Sequence, residues 1–299
     1  MSVIEQLNIY AKVLEKEPMS RHTTFHVGGL VDYYIYPTSF TALMRVIHIL
    51  NQEAIPFFVM GRGSNILFSD RDFHGAIINL DRELNDFYIE KEGTIIAQAG
   101  CSIINLSVQA MKNDLSGLEW ASGIPGSIGG AIYMNAGAYK SNMEEIIDEV
   151  CVLKDNSIVW MDVKELDFGY RHSIFQSHKD WIILACRLTL QKGENRKIRD
   201  LMDSRRERRM SSQPLDKPCA GSIFRNPEEM PAWKLIDEMG LRGYQIGGAK
   251  VSEKHSNFIV NENNTASASD IRSLIELIRS QAKEKYDISL ITEVEQMNW

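Results

Sequence analysis

Between Gly117 and Tyr139 the chain reads GLEWASGIPGSIGGAIYMNAGAY, and within it only Glu119 is charged. Surface loops are normally polar, and glycine inside a helix or strand gives up more conformational freedom on folding than any other residue. A run both glycine-dense and nearly uncharged therefore has to lie against something apolar, with its backbone in close approach. Gly123-Ile124-Pro125-Gly126-Ser127-Ile128-Gly129-Gly130 offers backbone amides of the kind that bind phosphate, and the uncharged stretch continues through Asn135 and Gly137. A large planar cofactor with a diphosphate arm meets both needs. A glycine-rich packing crossover inside a sheet is the alternative.

A second glycine loop precedes it. Ile55 to Met60 reads as a short buried strand, and Gly61-Arg62-Gly63-Ser64-Asn65 follows, where the chain must turn. Glycines let neighbouring N–H groups point inward as a nest for phosphate or diphosphate. The loop lacks the Gly-Lys-Ser/Thr ending of a P-loop, and Ile66 stands where the dinucleotide fingerprint would need its third glycine. A plain hairpin turn is an equal reading of this loop alone.

The surrounding pattern predicts a mixed frame. Leu43, Val46, Ile47 and Leu50 recur at helical spacing over residues 38 to 51, with Thr38 as cap. Ala76 to Leu80 reads as a buried strand, Phe87 to Glu90 and Thr94 to Gln98 as a hairpin, and Ser102 to about Leu115 as a capped helix. Ile146 to Leu153, Ile158 to Val163 and Trp181 to Leu190 are further strands, and a charged helix runs from about Asn195 to Met210. A short helix from Pro231 to Met239, a longer one bearing Ile271, Leu274, Ile275 and Ile278 behind Ser269 or Asp270, and a strand-like tail from Ser289 to Val294 complete a smaller α+β unit.

Three other features carry chemistry. In Phe168-Gly169-Tyr170-Arg171-His172-Ser173-Ile174-Phe175 an arginine bracketed by aromatic residues can present its planar fork to a carboxylate, or be a surface arginine with a stacked stem. In Pro218-Cys219-Ala220-Gly221-Ser222-Ile223-Phe224-Arg225-Asn226-Pro227 small residues place Ser222 on a turn, without the G-x-S-x-G elbow of hydrolases. Glu293 is an acid in the strand-like tail. Cys101, Cys151, Cys186 and Cys219 form no C-x-x-C pair, and the seven histidines include no H-E-x-x-H, so no metal site is expected. A net charge of -7 argues against a duplex-binding protein. The N-terminus lacks a secretory pattern and no apolar run reaches membrane-spanning length, so a cytoplasmic protein with no nucleic-acid or membrane partner is expected.

Taken together, His22-Thr23-Thr24-Phe25-His26-Val27-Gly28-Gly29, the GRGSN loop, IPGSIGGAIYMNAGAY, GYRHSIF, AGSIFRNP and Glu293-Val294 resemble the MurB family of UDP-N-acetylenolpyruvoylglucosamine reductases, from about residue 20 to the end. The resemblance implies an α+β fold: a two-part FAD-binding region of the vanillyl-alcohol-oxidase (PCMH) type, expected at 1–78 and 79–200, and a small α+β substrate-binding domain at 201–299. It implies non-covalent FAD, NADPH as reductant, and reduction of the enolpyruvyl ether of UDP-N-acetylglucosamine to UDP-N-acetylmuramate in peptidoglycan precursor synthesis. Gly61, Arg62, Gly63, Ser64, Asn65 and Ile66 would then hold the cofactor's diphosphate. Gly123, Ile124, Pro125, Gly126, Ser127, Gly129, Gly130, Asn135 and Gly137 would line its flavin and linker.

By the same resemblance, hydride goes to the terminal enolpyruvyl carbon while negative charge grows on the neighbouring carbon and its carboxylate. Arg171 would stabilise that charge with Glu293 as companion, Ser222 would return the proton, and Tyr170, Arg225 and Asn226 would contact substrate. The short third unit resembles the family's shorter type, which lacks an inserted tyrosine loop, and a monomer is expected. Cys219 is read as structural, with a reactive thiol as the alternative. The run Arg205-Arg206-Glu207-Arg208-Arg209 either meets the UDP diphosphate or forms a solvated helix face. Two other functions remain open at this level: a related flavin oxidase on another small substrate, and a catalytically idle UDP-sugar-binding module.

Overall fold

The computed structural model describes residues 1–299, which gather into two compact units. Unit 1 comprises Met1–Glu15, Tyr33–Arg62 and His74–Glu207, and unit 2 comprises Lys16–Asp32, Gly63–Phe73 and Arg208–Trp299. No helix is long and apolar enough to cross a membrane.

In unit 1, the helix Phe40–Gln52 buries Ala42, Leu43, Val46, Ile49 and Leu50 along one face, as the apolar spacing predicts. Its cap is Ser39, whose Oγ accepts from the Ala42 N–H at 3.1 Å; Thr38 instead donates its hydroxyl to Tyr10 O at 3.1 Å. The strand that follows, Phe57–Met60, pairs in parallel with Phe73–Asn79, Met60 opposite Asn79. These two strands belong to a four-stranded sheet whose order is Ala11–Pro18, Leu30–Pro37, Phe73–Asn79, Phe57–Met60.

A second, antiparallel sheet runs Ser157–Asp162, Ile147–Lys154, Ile182–Thr189, Thr94–Gln98, Phe87–Ile89. The expected hairpin is its edge pair, with Phe87 opposite Ala97. The helix Ile103–Lys112 is shorter than expected, because Asp114 takes a left-handed conformation (φ +58°) and turns the chain into the two-residue strand Leu115–Ser116. Side chains from both sheets and from the helices Phe40–Gln52 and Ile103–Lys112 fill one apolar core that includes Ile78, Ile95, Leu106, Trp120, Ile128 and Ile132.

Unit 2 has its own core, built by the helices Ala232–Glu238 and Ala268–Tyr286 and a three-stranded sheet, Gln245–Ile246, Ala249–Val251, Ile259–Asn261. The long helix begins one turn earlier than its apolar residues suggest. Ser267, rather than Ser269 or Asp270, is the cap, and Asp270 in turn accepts from the Ser267 N–H at 3.0 Å. The tail also differs from expectation: residues 289–294 form no strand beyond a single bridge from Thr292 to Phe224. The ladder lies just beyond, where Glu295–Met297 pairs in parallel with Ile66–Phe68.

Asp70 supplies a second cap to the helix Ala268–Tyr286, accepting from the N–H groups of Ala268 at 2.8 Å and Ser269 at 2.9 Å. Replacing it with alanine strips two first-turn amides of their partner and removes a favourable charge at the helix start. Asp70→Ala should therefore lower stability by about 1–2 kcal/mol in urea unfolding, with an unchanged far-ultraviolet dichroism spectrum in the absence of denaturant.

Candidate functional site

The two glycine segments meet in unit 1. A Cβ added at Gly61 would lie 2.1 Å from Ser127 Oγ and 3.0 Å from Ser127 Cβ, so the backbone after the strand Phe57–Met60 runs directly against the second segment. The Gly61 carbonyl is held from behind by Asn79 Nδ2 at 2.8 Å, and the same nitrogen donates to Tyr34 Oη at 3.0 Å. Asn79 and Tyr34 are 3% and 1% exposed, so this grip on Gly61 lies inside the core.

The second segment is not the bare loop its composition suggests. Residues Ile128–Tyr133 form a short helix, with Ser127 Oγ accepting from the Gly130 N–H at 3.3 Å. The amides of Ile128 and Gly129 donate to Cys101 O and Ala99 O, both at 2.8 Å, and Gly126 donates to Ile124 O at 2.8 Å. Gly129 packs closely on the strand side: a Cβ there would sit 3.0 Å from Ala99 Cβ. Gly130 faces the other way, exposed, and a Cβ there would meet only Ser127 Oγ at 3.4 Å. The packing-crossover reading and an open glycine face thus hold together, for different glycines.

Beyond the helix, Asn135 (φ +40°, 3% exposed) donates from Nδ2 to Gly169 O at 3.0 Å and accepts from the Glu144 N–H at 3.1 Å. This ties the glycine segment to the turn carrying Arg171. That turn is closed by reciprocal bonds between Gly169 and His172, both 3.1 Å, and leaves Tyr170 58% exposed. Arg171 has φ +55°, its guanidinium carbon lies 5.3 Å from the Tyr170 ring centroid, and Nη2 donates to Gly137 O at 3.1 Å. The arginine thus stacks on an exposed ring, as the surface reading has it, and is also tied by its guanidinium to the glycine segment.

In unit 2 the Ser222 and Glu293 segments lie side by side. The Glu293 N–H donates to Ile223 O at 2.7 Å, the Arg225 N–H donates to Ile291 O at 2.9 Å, and Phe224 bridges Thr292. Gly221 before the serine has φ +76° and open space where a Cβ would point, which gives the turn its shape. Asn65 Nδ2 donates to the Glu293 carbonyl at 3.0 Å and Asn65 O accepts from the Glu295 N–H at 2.9 Å, so the loop at Gly63–Asn65 is fastened to the tail. Ile66 begins the strand paired with Glu295–Met297, which accounts for the missing third glycine: no helix follows this loop.

Other expected residues are engaged locally. Asn226 is exposed, and its Oδ1 accepts from the Ala232 N–H at 3.0 Å, at the start of the helix Ala232–Glu238. Burial pushes the Cys219 thiol up, which favours the structural reading of this cysteine. Burial likewise raises Cys101, to about 12. Arg205 stacks over Tyr139 at 4.8 Å and its carbonyl accepts from Tyr139 Oη at 3.2 Å, so this member of the basic run braces the end of the glycine segment. Sequence reasoning missed Asn79, Ser173 and Gln176. Asn79 carried a signal, being the one polar residue at the end of an apolar strand; the other two looked like ordinary loop polar residues.

Comparisons with known proteins agree across the chain. Residues 213–297 match the family described as UDP-N-acetylenolpyruvoylglucosamine reductase, C-terminal domain, and residues 31–161 match the FAD binding domain family. The UDP-N-acetylenolpyruvoylglucosamine reductase of Caldanaerobacter subterraneus subsp. tengcongensis is 45% identical over 95% of this chain and 93% of its own. That of Bacillus subtilis is 42% identical over 95% and 93%. The crystal structure of UDP-N-acetylenolpyruvylglucosamine reductase from Thermus caldophilus superposes with a TM-score of 0.81 at 30% identity, covering 96% of this chain and 99% of that one.

The unit 1 residues fit FAD. Gly61 and Gly129 allow close backbone packing, Gly130 leaves an open face without a side chain, and the surrounding segment is almost uncharged. Gly61→Ala forces a Cβ against Ser127 and should weaken FAD binding at least about tenfold in a flavin fluorescence titration, since buried overpacking displaces backbone. Adding Ser127→Ala removes the clashing oxygen and should recover part of the loss.

Proposed function

The chain belongs to the UDP-N-acetylenolpyruvoylglucosamine reductase family, and on that premise we propose how its residues divide the work of an NADPH-dependent, FAD-mediated reduction. The substrate is the enolpyruvyl ether of UDP-N-acetylglucosamine and the product UDP-N-acetylmuramate, a precursor of peptidoglycan. Bound FAD supplies the hydride relay between NADPH and the substrate's terminal vinyl carbon. Everything else falls to the chain itself. The residues Gly61–Ile66, and Gly123, Ile124, Pro125, Gly126, Ser127, Gly129 and Gly130 with Asn135 and Gly137, hold the cofactor, the first run toward its diphosphate and the second toward its flavin and linker.

Arg171 faces the charge problem. Hydride addition at the vinyl carbon puts negative charge on the adjacent carbon and its carboxylate, and a guanidinium already fixed in place stabilises that charge without reorganising. Removal of one such donor typically raises a barrier by about 3 kcal/mol. The observation that supports this role is the fixed conformation of Arg171, with φ +55° and Nη2 on Gly137 O. Ser222 returns a proton to the carbanionic carbon. A hydroxyl is a weak acid, but a carbanion is basic enough for the transfer to run downhill, and a general acid in position contributes roughly 10²–10⁴-fold. Glu293, whose backbone is clamped beside Ile223, assists at the carboxylate, where donating a hydrogen bond would require its protonated form. Tyr170, Arg225 and Asn226 contact substrate.

We further propose a two-part FAD-binding region at 1–78 and 79–200 with a substrate-binding domain at 201–299, supported by the matches at 31–161 and 213–297. The enzyme works as a cytoplasmic monomer, without nucleic-acid or membrane partners.

Ser222→Ala should retain FAD and its reduction by NADPH in anaerobic stopped flow, yet lose reoxidation by the enolpyruvyl sugar nucleotide by about 10²-fold or more. Arg171→Ala should show the same split. Reoxidation at the wild-type rate in either variant would remove that residue from its assigned role.

A further inference from the structure

Arg171 is an arginine in a conformation that side-chain-bearing residues avoid. Left-handed backbone at a non-glycine residue is disfavoured and persists only where neighbouring contacts over-determine it. The turn bonds between Gly169 and His172 close the hairpin but leave the Arg171 carbonyl itself to be held. Gln176 does this: its Nε2 donates to Arg171 O at 2.9 Å and to Tyr133 O at 3.2 Å. Met134 Sδ accepts from the same nitrogen at 3.9 Å, and since all three partners are acceptors, the two-hydrogen end of the amide suits the place. Tyr133 is the last residue of the helix inside the glycine segment.

Gln176 is in turn fixed. It ends a turn in which its own N–H donates to Ser173 O at 3.1 Å, and the fully buried Ser173 donates its hydroxyl to the same Tyr133 carbonyl at 2.7 Å. One side-chain nitrogen thus joins the peptide of Arg171 to the end of the glycine-rich helix, while the Arg171 guanidinium reaches Gly137 farther along the same segment. We propose that Gln176 is a positioning residue for Arg171, locking the peptide of the arginine to the cofactor-side helix so that the guanidinium is set before substrate arrives. This rests on the assignment of Arg171 to the developing carboxylate charge. A misplacement of about 1 Å at such a group lowers rate by roughly 10²-fold.

The test uses the FAD-loaded protein and separates the two half-reactions by anaerobic stopped flow. Gln176→Ala removes both hydrogen bonds, and Gln176→Glu keeps the size while setting an acceptor against two carbonyls. Both should slow reoxidation by the enolpyruvyl sugar nucleotide by roughly 10- to 100-fold while changing flavin reduction by NADPH less than about twofold. A double-mutant cycle supplies the readout that mere loss of stability would not give. In the Arg171→Ala background, Gln176→Ala should add less than about twofold to the reoxidation defect, because its effect runs through the arginine.

Wild-type reoxidation in both Gln176 variants, equal slowing of both half-reactions, or a defect that multiplies fully with Arg171→Ala would each overturn the positioning role. Those results with a slow Arg171→Ala variant leave the reading of Arg171 intact. Reoxidation at the wild-type rate in Arg171→Ala itself defeats that reading, and the role of Gln176 with it.

Discussion

A glycine segment has few side chains with which to hold itself in place, and this constraint organises unit 1. Its short helix Ile128–Tyr133 is fixed from outside. Ala99 and Cys101 receive its first amides, and Ser173 and Gln176 bind the carbonyl at its last residue. Asn135 then joins the following backbone to Gly169. Ser173 and Gln176 come from the segment that carries Arg171, and Asn135 donates into that segment, so the arrangement that immobilises the glycines also sets the arginine. The low conformational freedom of the arginine and the fixed end of the glycine-rich helix arise from one network.

The same logic places polar side chains where an apolar core would ordinarily exclude them. Asn79 terminates an apolar strand, yet its amide is satisfied by Gly61 O and Tyr34 Oη, so its burial carries little penalty. Its effect is to fix the carbonyl at the start of the first glycine loop. In unit 2, Asn65 does the corresponding work by binding the backbone of Glu293, and the parallel pairing of Ile66–Phe68 with Glu295–Met297 continues that attachment. Three amide side chains, Asn79, Asn65 and Gln176, therefore hold the backbone carbonyls of Gly61, Glu293 and Arg171.

Much of the frame was legible in the sequence because local patterns determined it. The period of Leu43, Val46 and Leu50 marks a helix whatever it packs against, and the strands around Cys151 and Cys186 are short apolar runs bounded by turn residues. What local patterns could not give was pairing between distant segments. The apolar tail at 289–294 looked like a strand, but the free edge at Ile66–Phe68 pairs the residues after it. The helix inside the glycine segment was hidden for a related reason: its composition opposes helix formation, and Ser127 capping with burial of Ile128, Ala131 and Ile132 overrides that preference. The motif residues themselves were legible as a set, whereas Gln176 and Ser173 acquire meaning only from the carbonyls they reach.

The proposed function requires that this chain carry electrons from a nicotinamide to an enolpyruvyl ether with FAD bound. The direct measurement is the visible spectrum of the purified, FAD-loaded protein under anaerobic conditions, with NADPH added first and the enolpyruvyl UDP-sugar second. The flavin band near the blue should bleach on the first addition and return on the second, with UDP-N-acetylmuramate formed in step with the recovery. A protein that takes up no FAD, or whose bleached band stays bleached in the presence of the sugar nucleotide, would contradict it.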